Sequence, residues 1–278
     1  MTMRLLAGIR VFDEANRLAD RLEMSDGLRR TEAGTGYIEE GVLPRGAWRR
    51  PTSAEVAILA RRRRPPRRWS RATPFVVSIV KVDDVLASPF RIDACRAAAS
   101  AADWARFREA DGFRAELERT APIAERFHDA RAATDPLTVF AIVRKEPGLE
   151  SVAFDPTCGE RVGLHFDNYD RAPFETRHLA RNRLVVNVGE TERHLVFVNL
   201  PMMKLRDVLG VPEGASVGNW SAYLLRELVE RRPDYPVVRM RIDPGEAYIA
   251  PTDHMIHDAS TALSRGPDLS LHFIGRFV

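Results

Sequence analysis

Arg183-Leu-Val-Val-Asn-Val188, the spacer Gly189-Glu-Thr-Glu-Arg193, and His194-Leu-Val-Phe-Val-Asn199 together form the stretch that decides the fold class. Both flanking runs are rich in valine and carry no helix-period polar face, so they read as strands. The spacer is short enough for a hairpin loop, which predicts that the two strands pair. Downstream, a helix is expected at about 219–231, closed by Pro233. Strands follow at 237–242, at 246–250, around Ile256 and at 269–277. Upstream, Thr138-Val-Phe-Ala-Ile-Val-Arg144 is a further strand. Short strands at this spacing predict a double-stranded β-helix, or jelly roll, over residues 136–278.

The preceding 135 residues read differently. Leu5, Ile9, Phe12, Ala15, Leu18 and Leu22 fall at three- and four-residue steps, which predicts an amphipathic helix over 3–23. Residues 24–52 are rich in Gly, Pro, Thr and charge and read as loop, a lid over any pocket nearby. A short helix at 53–63, a strand at 75–82 and one or two helices across 98–131, broken near Gly112 or Pro122, complete the region. The expected whole is α+β: a mainly helical N-terminal scaffold, 1–135, packed on the β core as one integrated domain.

Composition sets the bounds. The chain has 278 residues, 45% hydrophobic and 29% charged, the profile of a soluble globular protein with a sizeable core. No apolar run approaches the ~20 residues of a membrane span. Arg10 and Asp13 interrupt the N-terminal apolar stretch, which makes a poor signal peptide, so the expected location is the cytoplasm. Cys95 and Cys158 are far apart and read as reduced thiols. Lysine occurs only at 81, 145 and 204, so arginine carries nearly all the positive charge. Its densest run, Arg61 to Arg64 and then Arg67 and Arg68 around Pro65-Pro66, suits either a solvated loop or a nucleic-acid contact. No second basic motif supports the contact, and the loop is the preferred reading.

The chemistry-bearing segment is Gly163-Leu-His165-Phe-Asp167-Asn-Tyr169. Residues two apart on a strand share a face, so His165 and Asp167 present an imidazole and a carboxylate side by side. That is two-thirds of a 2-His-1-carboxylate triad, which suits Fe(II) and leaves positions for a chelating substrate and dioxygen. Pro251-Thr-Asp-His254-Met-Ile-His257-Asp258 offers the third ligand. On a strand His254 and His257 face opposite ways; His257 lies deeper in the apolar segment and is chosen, with His254 left at the surface or behind the ligands. A turn at Ser264–Pro267 would pair the His257 segment with the last strand, His257 opposite Ile274, and bring Arg276 to the same face. An inward Arg276 could grip a carboxylate through its fork; Arg265 in the turn is the rival.

The order His165-x-Asp167, His257, Arg276 resembles the Fe(II)/2-oxoglutarate-dependent dioxygenases over roughly residues 138–278. The resemblance implies a cupin-like jelly roll with Fe(II) on His165, Asp167 and His257, and 2-oxoglutarate and O2 as co-substrates. It places the far carboxylate of 2-oxoglutarate on Arg276. Asn187, a polar residue among strand valines, suggests an inward amide that could also bond that carboxylate, and an amide bonding a loop backbone fits it equally well. The resemblance further implies oxidative decarboxylation of 2-oxoglutarate coupled to hydroxylation or related C–H oxidation of a small metabolite such as an amino acid derivative. Arg171, Arg177, Arg181 and Arg183 flank the motif and suit a carboxylate if any faces the pocket. Two other readings stay open: a cupin-like metalloenzyme that uses no 2-oxoglutarate, and a non-catalytic nucleic-acid binder acting through Arg61–Arg68.

Overall fold

The structure, a computed structural model, describes residues 4–65, 68–70, 73–82, 101–109, 113–129 and 137–278. Cys95, Pro66, Arg67, Gly112 and the segments 83–100 and 130–136 lie outside the described residues. The described fold is mixed α+β and rich in strand, with three sheets and no closed barrel. The first sheet takes β1 (Arg10–Asp13), β5 (Val76–Lys81), β6 (Thr138–Lys145), β9 (Asn182–Asn187), β12 (Glu246–Ala250) and β14 (Asp268–Gly275), in the order β1-β5-β12-β9-β14-β6. The second takes β2 (Leu22–Met24), β10 (Arg193–Pro201), β11 (Val238–Ile242) and β13 (Met255–Ser260), in the order β13-β10-β11-β2. The third joins β3 (Gly27–Arg30), β4 (Tyr37–Arg45), β7 (Phe154–Asp155) and β8 (Glu160–Gly163).

The elements expected at 138–144, 219–231, 237–242, 246–250 and 269–277 are found within a residue or two, but their pairing corrects the sequence reading. β9 and β10 are not a hairpin: β9 lies between β12 and β14, and β10 lies between β11 and β13 in the other sheet. Burial supplies the reason. Val185 packs into one hydrophobic cluster with Leu195, Phe197 and Ile256, while Leu184 and Val186 pack into a second with Leu271 and Phe273. A strand apolar on both faces needs layers above and below, so both strands sit inside sheets, and the short spacer crosses from one sheet to the other. The second cluster is covered by α3 (Ala101–Glu109), α4 (Phe113–Glu118) and α5 (Ala121–Glu125) through Trp104, Phe107, Phe113 and Ile123. Ile123 is buried there, worth about 1.5–3 kcal/mol relative to exposure, and the three half-buried aromatic rings add a part of that each.

The N-terminal region is less helical than its periodicity predicts. Leu5, Ile9, Phe12, Leu18 and Leu22 are buried as expected, but only Leu18–Arg21, α1, is helical. Asp13 accepts hydrogen bonds from the Ala15 and Arg17 amides, and Asn16 sits at φ +54°, so the chain turns where a helix would continue. Of the preceding apolar residues, Val11 and Phe12 lie in β1, which pairs in parallel with β5. The expected loop at 24–52 contains β3 and the nine-residue β4. The helix expected at 53–63 is α2, Ser53–Leu59, opened by a capping box between Thr52 and Glu55. Where β1 and α1 meet the core, Arg21 is fully buried, with Nε 3.0 Å from Asp13 and its two Nη nitrogens 2.5 and 2.6 Å from the two oxygens of Glu246.

Candidate metal centre

β8 ends at Gly163, where φ is +80°, a backbone geometry that glycine adopts without a steric penalty. Beyond it the chain stays extended for one bridge: the His165 amide donates to the His257 carbonyl at 3.0 Å, and the His257 amide donates back at 2.8 Å. Asp167 then anchors its amide on the Thr252 carbonyl at 3.1 Å. The motif lies just past β8 rather than within a regular strand, yet it keeps the alternation that puts His165 and Asp167 on one side. β13 delivers His257 opposite them, held in register by Phe197 of β10.

The three side chains converge. One ligand atom from each of His165, Asp167 and His257 lies within 4.8 Å of the others, and this group can hold a metal ion. His165 Nε2 is 3.5 Å from one Asp167 oxygen and His257 Nε2 is 3.5 Å from the other. Each imidazole also has a carbonyl beside Nδ1: Gly163 at 2.8 Å for His165 and Met255 at 3.0 Å for His257. A carbonyl can only accept, so each ring carries its proton on Nδ1 and turns the Nε2 lone pair inward. One buried Asp167 oxygen makes no hydrogen bond, although Arg183 faces it at 3.0 Å. Two imidazoles and a carboxylate are a donor set that fits a divalent cation.

Charge agrees with that arrangement at Asp167 and His257, whereas at His165 burial is outweighed by the Asp167 hydrogen bond and nearby carboxylates, which hold the imidazole above its ordinary value. Burial alone would raise the Asp167 pKa, but Arg183, 3.0 Å away, and the two histidines hold it well below the usual carboxylate range. Burial pushes His257 down to about 3, keeping it neutral and available as a ligand. The pocket around the triad has a volume of about 330 Å³. Its interior carries Lys145, Arg193, Tyr248, Asp268 and His272, and its wall includes Phe140, Phe154 and Tyr169, three of the five exposed large hydrophobic side chains among the described residues. Arg193 is 1% exposed, and its Nε and one Nη nitrogen have no partner; Asp268, 3.6 Å away, has neither oxygen hydrogen-bonded.

Several residues expected at the site lie elsewhere. β13 pairs with β10, and β14 with β9 and β6, so His257 is not opposite Ile274. Arg276 follows the end of β14, donates to the Leu179 carbonyl at 2.9 Å and stacks its guanidinium 4.7 Å from the Trp69 ring. It does not line the triad's pocket, and neither does the exposed Arg265. Asn187 is fully buried and bonds backbone alone, donating to Thr191 and Ile242 and accepting from Gly189. His254 is not at the surface; it is buried, edge-on against Phe75 and near His178. Of the four flanking arginines only Arg183 lines the pocket; Arg177 bonds the Asp167 carbonyl from outside, and Arg181 pairs with Asp170.

Arg193, Lys145, Asp268 and Tyr248 were not anticipated. No local pattern distinguishes an arginine that opens a buried strand from a solvated one in a spacer. β4 does not cover the triad's pocket as a lid. It lines a separate apolar cavity of about 630 Å³ that shares only Val162 and His165 with it. Comparison with known protein families, with curated proteins and with solved structures finds no match for this chain.

Proposed function

We propose that this protein is a non-haem iron oxygenase that takes 2-oxoglutarate as co-substrate and oxidises a C–H bond of a small metabolite. The observation that carries the reading is the convergence of His165, Asp167 and His257 in a pocket that also holds two cations, half-buried Lys145 and buried Arg193. Strand order supports a jelly-roll reading of the core. From β6 onward the chain moves between two sheets, β6-β14-β9-β12 on one side and β13-β10-β11 on the other, with His165 bridged to the edge strand β13. That interleaving is what winding a long hairpin into a double-stranded β-helix produces.

The residues divide the work. His165, Asp167 and His257 would hold Fe(II) from one side and leave the other side to small molecules. Iron with 2-oxoglutarate would supply the oxidising power, which no side chain has. Arg193, with its free nitrogens, and Lys145 would take the far carboxylate of 2-oxoglutarate, the role the sequence had suggested for Arg276. Arg183 keeps Asp167 ionised and fixes Tyr169, whose hydroxyl it contacts. Phe140 and Tyr169, edge to face at 5.1 Å, give the substrate an apolar wall and limit water at the reacting position.

One feature favours a metalloenzyme without 2-oxoglutarate: Asp268 sits beside Arg193 and would compete with an acidic co-substrate for it. Anaerobic titration separates the two. Fe(II) with 2-oxoglutarate should give a weak visible charge-transfer band that His257→Ala abolishes. Tight Fe(II) binding with no response to 2-oxoglutarate would support the second reading, and no Fe(II) binding would end both.

A further inference from the structure

Away from the metal pocket, a cleft of about 790 Å³ is lined by Arg10, Arg61, Arg62 and Arg63, together with Ser53, Val56, Ala57 and Ala60. The sequence holds the last three arginines together, but Arg10 is some fifty positions away. Tertiary structure joins them. Val11 of β1 bridges Ala60 in parallel, and the Arg61 amide donates to the Val11 carbonyl at 2.8 Å. No acidic side chain lines the cleft. Arg64, next in the run, is paired with Glu14 at 3.5 Å, whereas no carboxylate is within ion-pair distance of Arg10, Arg61, Arg62 or Arg63 among the described residues. Arg10 also lines a neighbouring cavity of about 720 Å³ containing Lys204, Phe75 and Met203. The one acid there, Asp207, is paired with Arg206 at 2.6 Å.

Four uncompensated guanidinium groups in one cleft repel one another and gain from an anion that bridges them. Planar guanidinium forks match phosphoryl oxygens in particular. The track runs on past Arg10 to Lys204, longer than a single carboxylate needs, and its floor is apolar with one aromatic ring. Neither cavity shares a lining residue with the triad's pocket. We propose that this track binds a chain of phosphoryl groups, such as the backbone of a single-stranded nucleic acid or a free polyphosphate, at a site separate from the metal centre.

The test uses the full chain and fluorescence anisotropy of a short labelled oligothymidylate, with inorganic tripolyphosphate as competitor. The wild type should bind with marked salt dependence. Combining Arg61→Gln, Arg62→Gln and Arg63→Gln should weaken binding at least about tenfold and reduce the slope of log K against log salt by about 2, roughly 0.7 per lost phosphate contact. Arg64→Gln, which removes a compensated arginine, should change the slope little. Displacement of the strand by tripolyphosphate at equal phosphate concentration identifies phosphoryl groups as all that the site reads. Failure to displace it, with the triple variant still defective, assigns the remaining affinity to bases on the apolar floor. Both results uphold the site. Equal affinity of wild type and triple variant, or no binding of either probe, overturns it. Fe(II) binding, measured alongside, should be the same in every variant.

Discussion

Two buried arginines in this protein meet opposite fates. Arg21 is surrounded: every nitrogen of its guanidinium faces an oxygen of Asp13, Glu246 or the Arg241 backbone, and the Asp13 carboxylate also caps the turn that follows β1. Arg193 is as deeply buried, but two of its nitrogens make no hydrogen bond, and its carboxylate neighbour Asp268, 3.6 Å away, is hydrogen-bonded at neither oxygen. A buried ion cluster with every bond made is a structural joint; here it ties β1, α1 and β12 together. A buried cluster with open valences is costly to keep unless something occupies it. The difference separates, within one chain, a buried charge whose bonds are all made from one whose bonds are not.

The comparison breaks first at Arg21. Replacing it with Met strands two buried carboxylates, and unfolding in denaturant should show a loss of about 3–5 kcal/mol. The equivalent change at Arg193 should cost distinctly less, since it gives up one ion pair at 3.6 Å and no hydrogen bond. Arg193→Met should instead weaken 2-oxoglutarate binding about 10- to 100-fold, the worth of one charge-assisted contact, with Fe(II) affinity unchanged in anaerobic titration. An Arg193→Met protein as unstable as Arg21→Met would erase the distinction.

Buried histidines sharpen it further. Burial depresses His254 to about 3, so between its ordinary value of 6.5 and about 3 the unfolded chain binds the extra proton. Stability should therefore fall as pH drops through that window and be fully present above it. His254→Gln should show a shallower fall when denaturation midpoints are compared between about pH 7 and about pH 4. The smallest effect is expected at Arg276, which the structure occupies with the Leu179 carbonyl and Trp69. Arg276→Leu should leave 2-oxoglutarate binding as it is, and a large loss there would restore the sequence-based assignment.

Legibility followed the range of the interactions. The strands β5, β6, β11 and β12 and the helix Trp220–Arg231 were read from local pattern almost to the residue. At 3–23 the positions that are buried were right and the conformation was wrong, because burial can be satisfied by a strand and a turn as well as by a helix. His165, Asp167 and His257 converge as their types and spacing predict. Arg276 was chosen on an assumed pairing of neighbouring strands, and that pairing is absent.

By itself, the sequence determined most of the regular elements from residue 138 onward and a His-Asp-His set able to meet at one ion, since local periodicity and residue chemistry are written along the chain. Only the tertiary structure decided which strands lie together, and with them which arginines look inward. Strand partnership is a contest among distant segments for burial, and it places Arg193 beside the triad and Arg10 beside Arg61 with no local signal for either.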